Sequence, residues 1–413
     1  MSSRLEPERR TGAVSPGRPG EERDQAGAVV CHVTGRAGKF SEVWIDAQVE
    51  AVDRYRSSLW SIREPAQTYY WQSKPTALAR SGTLIRGLNR LSKRPVEVGT
   101  AIIPDLARSV LARAESTRGR DISVFHAHFG YVGYLWTGVA KKARIPLVTS
   151  FYGVDAAAQR FSTPAWRRRY GRLFSLARGV LVEGPNMARR LASLGCPEEK
   201  IHIVRLPFAP PTLRLQSDDL EREFAVGLGG RFVQKKGFDV ALRAFAAAFP
   251  DGPERLVFAG GGPEGDPLRA LARELGIADR VLFRPPLPLG DFAALLKRCH
   301  VTLFPSLTAP NGDAEGGAPM SIPLAQALGV PIIVSDHDDL PWAAAPGTPT
   351  VRSGDAEELA AVLAEVYRAS IERRPELLEH LAAARAFVEE AHNPTRLTSE
   401  REAVYDLALS GGT

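Results

Sequence analysis

From residue 28 onward, short runs rich in Val, Ile, Leu and Phe alternate with longer amphipathic stretches, the pattern of a parallel sheet covered by helices. In the first half, strands are expected at Ala28–Thr34, Ser58–Ile62, Ser123–Ala127, Leu147–Phe151, Gly179–Glu183 and His202–Leu206, with helical periodicity at Val43–Tyr55 and Val132–Ala143. Phe208–Ser217 holds Pro210-Pro211 and little periodicity, so it reads as a linker. The alternation then restarts, with strands expected at Phe224–Gly229, Arg255–Ala259, Arg280–Phe283, Val301–Phe304 and Pro331–Ser335. Helices separate these at Asp239–Phe249, Asp266–Leu275, Leu289–Lys297 and Ile322–Leu328, and Ala356–Ser410 is largely helical with a break near Asn393-Pro394.

The pattern predicts an α/β protein of two facing, doubly wound, Rossmann-like domains. The boundaries are a polar tail over 1–27 expected to be disordered, a first domain over 28–208, a linker over 209–220, a second domain over 221–390 and a final helix over 391–413. Ligands of such sheets sit beyond the carboxyl ends of the strands, where strand order reverses, so two facing domains open both crevices into one cleft.

Composition agrees: 413 residues are too many for one ordinary core, and 44% hydrophobic with 24% charged residues excludes a disordered chain. Apolar runs such as Val330–Val334 are strand-sized, far short of the ~20 residues of a membrane span. Cys31, Cys196 and Cys299 form neither a metal-ligand spacing nor a disulfide framework, which favours a reducing compartment; with no leader pattern in the polar tail, a cytoplasmic location is expected. The net charge of +6 conceals an asymmetry, with residues 28–205 carrying +15 and residues 206–413 carrying −9. Two domains with different partners are implied, and a nucleic-acid coat is not. Basic side chains concentrate over Arg80–Arg94 and Arg167–Arg172, interleaved with Leu, Ile, Trp and Tyr. Such clusters suit an anionic acceptor or peripheral contact with an anionic membrane; an ordinary solvated helix face is the alternative.

The sharper chemistry lies in the second half. The strand ending near Gly229 runs into Gly230-Arg231-Phe232-Val233-Gln234-Lys235-Lys236-Gly237-Phe238, where Arg231 and Lys236 are both within reach of a bound diphosphate, Arg through a bidentate fork and Lys as a compact charge. A solvated turn with surface cations is the plain alternative. The segment is neither a Walker loop nor a G-x-G-x-x-G, which weakens ATP hydrolysis and nicotinamide chemistry. After the strand ending in Phe304-Pro305-Ser306, the run Asn311–Ser321 leads into a helix. The stretch Gly317, Ala318, Pro319, Met320 and Ser321, whose N–H groups other than that of proline can donate, marks that helix start as a phosphate seat, with Glu315 placed to accept hydrogen bonds from sugar hydroxyls. In the first half His126 and His128 end one strand, Asp155 follows the next and Gly35 follows the first, all expected on the acceptor side of the cleft. A strand-end histidine serves packing as readily as chemistry.

Arg231 with Lys236-Gly237-Phe238, Phe304-Pro305-Ser306, Glu315-Gly316-Gly317-Ala318-Pro319, Ala325-Gln326-Ala327-Leu328-Gly329-Val330-Pro331 and Ser335-Asp336-His337-Asp338-Asp339-Leu340-Pro341 resemble family-4 glycosyltransferases. Phe40–Ile45, His126-Ala127-His128-Phe129-Gly130 and Thr149–Asp155 match the same family in order. The resemblance implies the two-Rossmann GT-B fold, with final helices crossing back to the first domain. It also implies an acceptor in the first domain, a nucleoside-diphosphate sugar in the second, retention of anomeric configuration, and no metal or other cofactor. Arg231, Lys236, Glu315 and His128 are then the catalytic candidates, with Gly230 on the donor side.

Two residues depart from the family pattern. Leu324 stands where a second glutamate usually meets the nucleotide ribose, which keeps open a catalytically weak, nucleotide-sugar-binding partner subunit as the alternative function. Tyr152 stands on the acceptor side where many relatives have histidine. The pathway implied is exopolysaccharide, lipid-linked glycan or secondary-metabolite glycoside synthesis.

Overall fold

The computed structural model describes residues 28–34, 43–61, 122–158, 161–208, 223–317 and 319–411. The tail 1–27, the linker 209–220, the Arg80–Arg94 cluster, Gly35 and Ala318 lie outside the described residues.

The first sheet contains β1 (Val29–Thr34), β2 (Arg56–Ser61), β3 (Ile122–His128), β4 (Leu147–Ser150), β5 (Ala177–Val182) and β6 (Ile201–Ile203), in the order β2-β1-β3-β4-β5-β6. The second contains β7 (Phe224–Arg231), β8 (Leu256–Gly261), β9 (Val281–Arg284), β10 (Cys299–Phe304), β11 (Ile332–Ser335) and β12 (Thr350–Val351), in the order β12-β11-β10-β7-β8-β9. Every pairing is parallel. Order reverses between β7 and β10, so the crevice opens between Arg231 at the end of one strand and Pro305-Ser306 after the other. Reversal in the first sheet falls between β1 and β3, beside His32 and His128.

Helices α1 (Val43–Glu50), α2 (Gly130–Ala143), α3 (Val154–Ala157), α4 (Pro164–Leu176) and α5 (Pro185–Ser193) belong to the first domain. The second contains α6 (Phe238–Ala248), α7 (Gly265–Glu274), α8 (Leu289–Lys297), α9 (Ser321–Ala327), α10 (Leu340–Ala343), α11 (Ala356–Ile371) and α12 (Pro375–Ala391). Local signals set several starts. Thr163 and Asp355 cap α4 and α11 through their side chains, with Pro164 at the first position of α4. Phe125, Trp136, Phe151 and Phe174 fill the core of one domain, and Phe232, Phe245 and Phe258 that of the other.

The break at Asn393-Pro394 is a restart. Asn393 accepts the Arg396 N–H, and α13 (Pro394–Ser410) leaves the second domain to lie on the first sheet. Its Val404, Tyr405 and Ala408 pack with Val30, Val124, Val148 and Leu181, each large buried side chain contributing about 1.5–3 kcal/mol. Gly179 admits this approach, because a Cβ there would stand 2.6 Å from Val404 Cγ1. Buried Glu402 accepts the backbone N–H groups of Asp53 and Arg54 at 2.8 and 2.9 Å and the Arg54 side chain at 2.9 Å. The α/β reading holds, with element ends shifted. β5 starts at Ala177, α1 stops at Glu50, and the two-residue edge strand β12 is too short to leave a periodic signal.

Candidate active site

The β7-to-α6 connection curls into a single 3-10 turn, Gln234–Lys236, closed by Gly237 at φ +61. A Cβ on Gly237 would overlap the Pro305 carbonyl oxygen, so glycine lets this loop nest on the Pro305-Ser306 turn. The turn sends its two lysines in different directions. Lys235, 3% exposed, donates to the Ala314 carbonyl at 2.8 Å and lies 3.4 Å from Asp313 Oδ1 and 4.0 Å from Glu315 Oε2. Lys236 Nζ reaches Glu315 Oε1 at 2.5 Å, and Ser306 Oγ donates to the same oxygen at 2.8 Å. Burial pushes the Glu315 pKa upward, but Lys236 and Lys235 outweigh it and hold the carboxyl below its ordinary range.

Lys236 and Glu315, distant in sequence, are therefore one ion pair at the β7/β10 switch point. Arg231 stands exposed at the end of β7, continuous with Gly230. Lys235 and Ser306 are partners that sequence reasoning passed over. Lys235 is indistinguishable from Lys236 until the turn points it inward, and Ser306 was legible only as part of a motif.

Across the cleft, the first domain meets the Glu315-Gly316-Gly317 loop backbone to backbone. Gly153, at φ +99 and ψ −69, lies so close that a Cβ would overlap the Glu315 carbonyl oxygen and stand 3.0 Å from the Gly317 nitrogen. Gly316 answers at φ +76, with a Cβ there 2.5 Å from Gly153 Cα. A Cβ on Gly317 would meet Glu183 Oε2 at 2.5 Å. Pro319 and Met320 line a narrow crevice with Glu183, Arg205 and Trp342. Ser321 opens α9, whose first turn has no side-chain cap.

Four sequence expectations need correction. Leu324 is 2% exposed and packs among Ile322, Phe304, Leu328 and Val334, so it belongs to the core and does not face a nucleotide. Asp155 is wholly buried and structural: its carboxylate accepts the Gly130 N–H at 2.7 Å and the Tyr152 N–H at 3.0 Å, tying α2 to the turn after β4. His126 and His128 are also wholly buried and do not open onto the cleft. Instead, His126 bridges Tyr405 of α13 and Ser150, each at 2.7 Å. His128 bridges Tyr152 at 2.7 Å and His32 at 3.0 Å. Parallel register sets His32 beside His126, a neighbourhood invisible in the sequence.

Burial, then nearby positive groups including Arg401, lowers the pKa of all three imidazoles, His32 to about 3, and keeps them neutral. Among the described residues these histidines are the group close enough to share a metal ion, their ligand atoms lying within 4.8 Å of one another. Both nitrogens of His126 and of His128 already have hydrogen-bond partners, and Arg401 adds a repelling cation. The donor set fits a hydrogen-bonded relay and does not fit a resident cation. The Asp-rich turn 336–339 likewise spends its carboxylates on amides: Asp336 on Ser353, Asp338 on Gly316, and Asp339 on Asn186 and Met187. Tyr152 stays protonated, its acidity suppressed by burial.

Two doubly wound parallel domains, a C-terminal helix crossing to the first and a lysine–glutamate pair at the switch point of the second define the two-Rossmann transferase architecture. Residues 72–207 match the family described as Glycosyltransferase Family 4, and residues 215–382 match Glycosyl transferases group 1. The chain belongs to these group 1, family-4 glycosyltransferases.

Among its relatives is the amylovoran biosynthesis glycosyltransferase AmsK of Erwinia amylovora, 30% identical over 65% of this chain and 66% of that protein, just under two thirds of the relative's length. Another is the putative colanic acid biosynthesis glycosyltransferase WcaL of Escherichia coli, 27% identical over 67% and 70% of the two chains. The fold matches Anabaena HepE, solved with UDP and glucose, with a TM-score of 0.65 and 17% identity over 92% of this chain and 99% of that one.

Proposed function

We propose that the protein transfers a sugar from a nucleoside-diphosphate sugar to an acceptor hydroxyl, with retention of anomeric configuration and without a metal ion. The observation carrying this reading is the Lys236–Glu315 pair at the crevice between β7 and β10. As the glycosidic bond breaks, negative charge collects on the departing diphosphate. Lys236, the exposed Arg231 and the Ser321 N–H at the start of α9 are preorganised donors for it, the Ile322 and Leu324 amides being bonded to the Pro319 and Met320 carbonyls. Glu315 is oriented to accept hydroxyls of the donor sugar. Lys236 and Ser306 both bind one of its oxygens, which disfavours a role as a covalent nucleophile. The reading therefore has front-face attack, with a phosphate oxygen of the leaving group taking the acceptor's proton.

The names of the relatives, which give amylovoran and colanic acid biosynthesis, favour exopolysaccharide synthesis as the pathway. Exposed Arg167, Arg168 and Arg172 on α4 support an anionic acceptor or an anionic membrane surface. Slow hydrolysis of a panel of nucleotide sugars, followed by transfer to an acceptor pool, tests the reaction. Lys236→Ala and Glu315→Ala are expected to abolish both while the protein stays folded, and retained activity in either refutes the assignment. Co-sedimentation with anionic against neutral liposomes tests the surface, and equal binding to both removes the membrane reading. A second reading, a nucleotide-sugar-binding partner subunit, draws on Leu324 lying in the core in place of a second glutamate. Stabilisation by a nucleotide sugar with neither hydrolysis nor transfer favours it.

A further inference from the structure

Helix α5 of the first domain begins with an unusual vacancy. Its N-cap residue is Gly184, which has no side chain to satisfy the first amides, and Pro185 follows at the first helical position. The missing cap comes from the other domain. Asp339 Oδ1 accepts the Asn186 N–H at 2.8 Å, and Asp339 Oδ2 accepts the Met187 N–H at 3.0 Å. The fit requires glycine: a Cβ on Gly184 would stand 2.6 and 2.7 Å from the two carboxylate oxygens. Gly184 lies at φ −159, an extended conformation open to any residue, so its lack of a side chain serves Asp339 and relieves no backbone strain.

The neighbouring residue joins this contact to the donor loop. Asp338 is held at φ +48, a left-handed conformation that a non-glycine residue occupies at a cost of order 1–2 kcal/mol. Held there, its Oδ1 accepts the Asn186 side-chain amide of the first domain at 2.7 Å, with Arg190 at 3.5 Å. Its Oδ2 accepts the Gly316 N–H at 2.6 Å, one residue beyond Glu315, and lies 3.1 Å from His337 Nε2. One carboxylate thus spans the first domain and the loop that carries the sugar-binding glutamate.

We infer that Asp338 and Asp339 are an interdomain latch and positioning residues for the transfer reaction: when the cleft closes, Asp339 caps α5 and Asp338 fixes the Glu315 loop in its working shape. The physical basis is that charge-assisted bonds to helix-start amides form only at the closed separation. Opening breaks the bonds to Asn186, Met187 and Arg190 together, and the Asp338 carboxylate that holds the Gly316 N–H within the second domain loses the first-domain partners that fix it. The inference rests on the proposed nucleotide-sugar chemistry for its catalytic consequence, and on geometry alone for its closure.

The closing experiment separates these two. Spin labels at Lys142→Cys and Glu274→Cys, exposed positions on the two domains, report the interdomain distance in the full chain; the native cysteines are buried and do not compete. The latch predicts one short distance in the labelled parent and a longer, broader distribution in Asp339→Ala. Gly184→Ala is the second variant, because it displaces the carboxylate from the first-domain side without touching the second domain or straining the backbone. It is expected to open the cleft in the same way. Asp339→Asn, which keeps one acceptor oxygen, should fall between. Donor hydrolysis is measured on the same samples and normalised to the folded fraction read by circular dichroism, because loss of folded protein by itself lowers apparent kcat at unchanged KM; kcat per folded molecule should fall about tenfold or more with donor KM changing far less. Unchanged distances in both Asp339→Ala and Gly184→Ala overturn the latch whatever the activity. Lengthened distances in both variants, with a parent that neither binds nor hydrolyses any nucleotide sugar, overturn the functional reading and leave the latch standing.

Discussion

Replacing Gly153 by alanine tests whether catalysis requires the closed cleft. The added Cβ would overlap the Glu315 carbonyl oxygen and approach the Gly317 nitrogen to 3.0 Å, whereas ordinary van der Waals contact begins at 3.4 Å. Both neighbours are backbone, so neither can rotate aside, and the two domains must part by more than about 1 Å at this point. Alanine also has to occupy φ +99, a strain of about 1–3 kcal/mol borne within the first domain. These effects read out separately: strain lowers the melting temperature, while separation moves the first-domain groups relative to the Lys236–Glu315 pair. A misplacement of about 1 Å costs on the order of 10²-fold in rate. Steady-state donor hydrolysis and transfer, alongside thermal unfolding, are therefore expected to show kcat/KM down about a hundredfold in a protein that remains folded. Activity within about threefold of the parent, with the fold intact, would mean that the reaction runs in an open cleft and refute this reasoning.

Lys236→Ala should leave Glu315 with Lys235 at 4.0 Å as its remaining cation, costing about 3–5 kcal/mol between stability and transfer, and denaturant titration plus the hydrolysis assay divides the two. Acid should destabilise the first domain from about pH 6.5 downward. His32 is neutral when folded, with a pKa of about 3, and takes up its proton only on unfolding, so the stability it contributes is complete above 6.5 and shrinks as pH falls toward 3. His32 alone accounts for about 2 kcal/mol lost between pH 6.5 and 5, with His126 and His128 acting in the same direction. Equal urea midpoints at pH 7 and 5 would contradict this. Glu402→Ala removes the acceptor of the Asp53 and Arg54 amides and should cost about 3 kcal/mol, read as increased proteolytic release of α13. Leu324→Glu buries a carboxylate in an apolar cluster, and the expected result is a drop in melting temperature; tighter nucleotide binding with unchanged stability would place that side chain in the donor site after all.

The sequence was most informative where chemistry is local. Strand-sized apolar runs, the Asn393-Pro394 restart and the glycine-framed loops depend on neighbours a few residues away, and these are where expectation and structure agree. It was least informative about orientation. Period-two alternation placed His126 and His128 on one face of a strand, but whether that face met the cleft or a helix depended on α13, whose Tyr405 arrives from the far end of the chain. Leu324 shows the same limit in a helix, because a motif position names a residue without stating which way the helix is rolled.

By itself, then, the sequence determined the two α/β halves, their opposite charges and the loops that could meet a diphosphate. These follow from hydrophobic periodicity and from residue types at strand ends, which act over a few ångströms of contiguous chain. Only the tertiary structure decided that Lys236 pairs with Glu315 while Lys235 turns inward, that three histidines form a buried neutral relay, and that Asp339 caps a helix of the opposite domain across a glycine. Each of those depends on sheet register, helix roll or domain closure. These are set by the packing of surfaces remote in sequence, which no local pattern encodes.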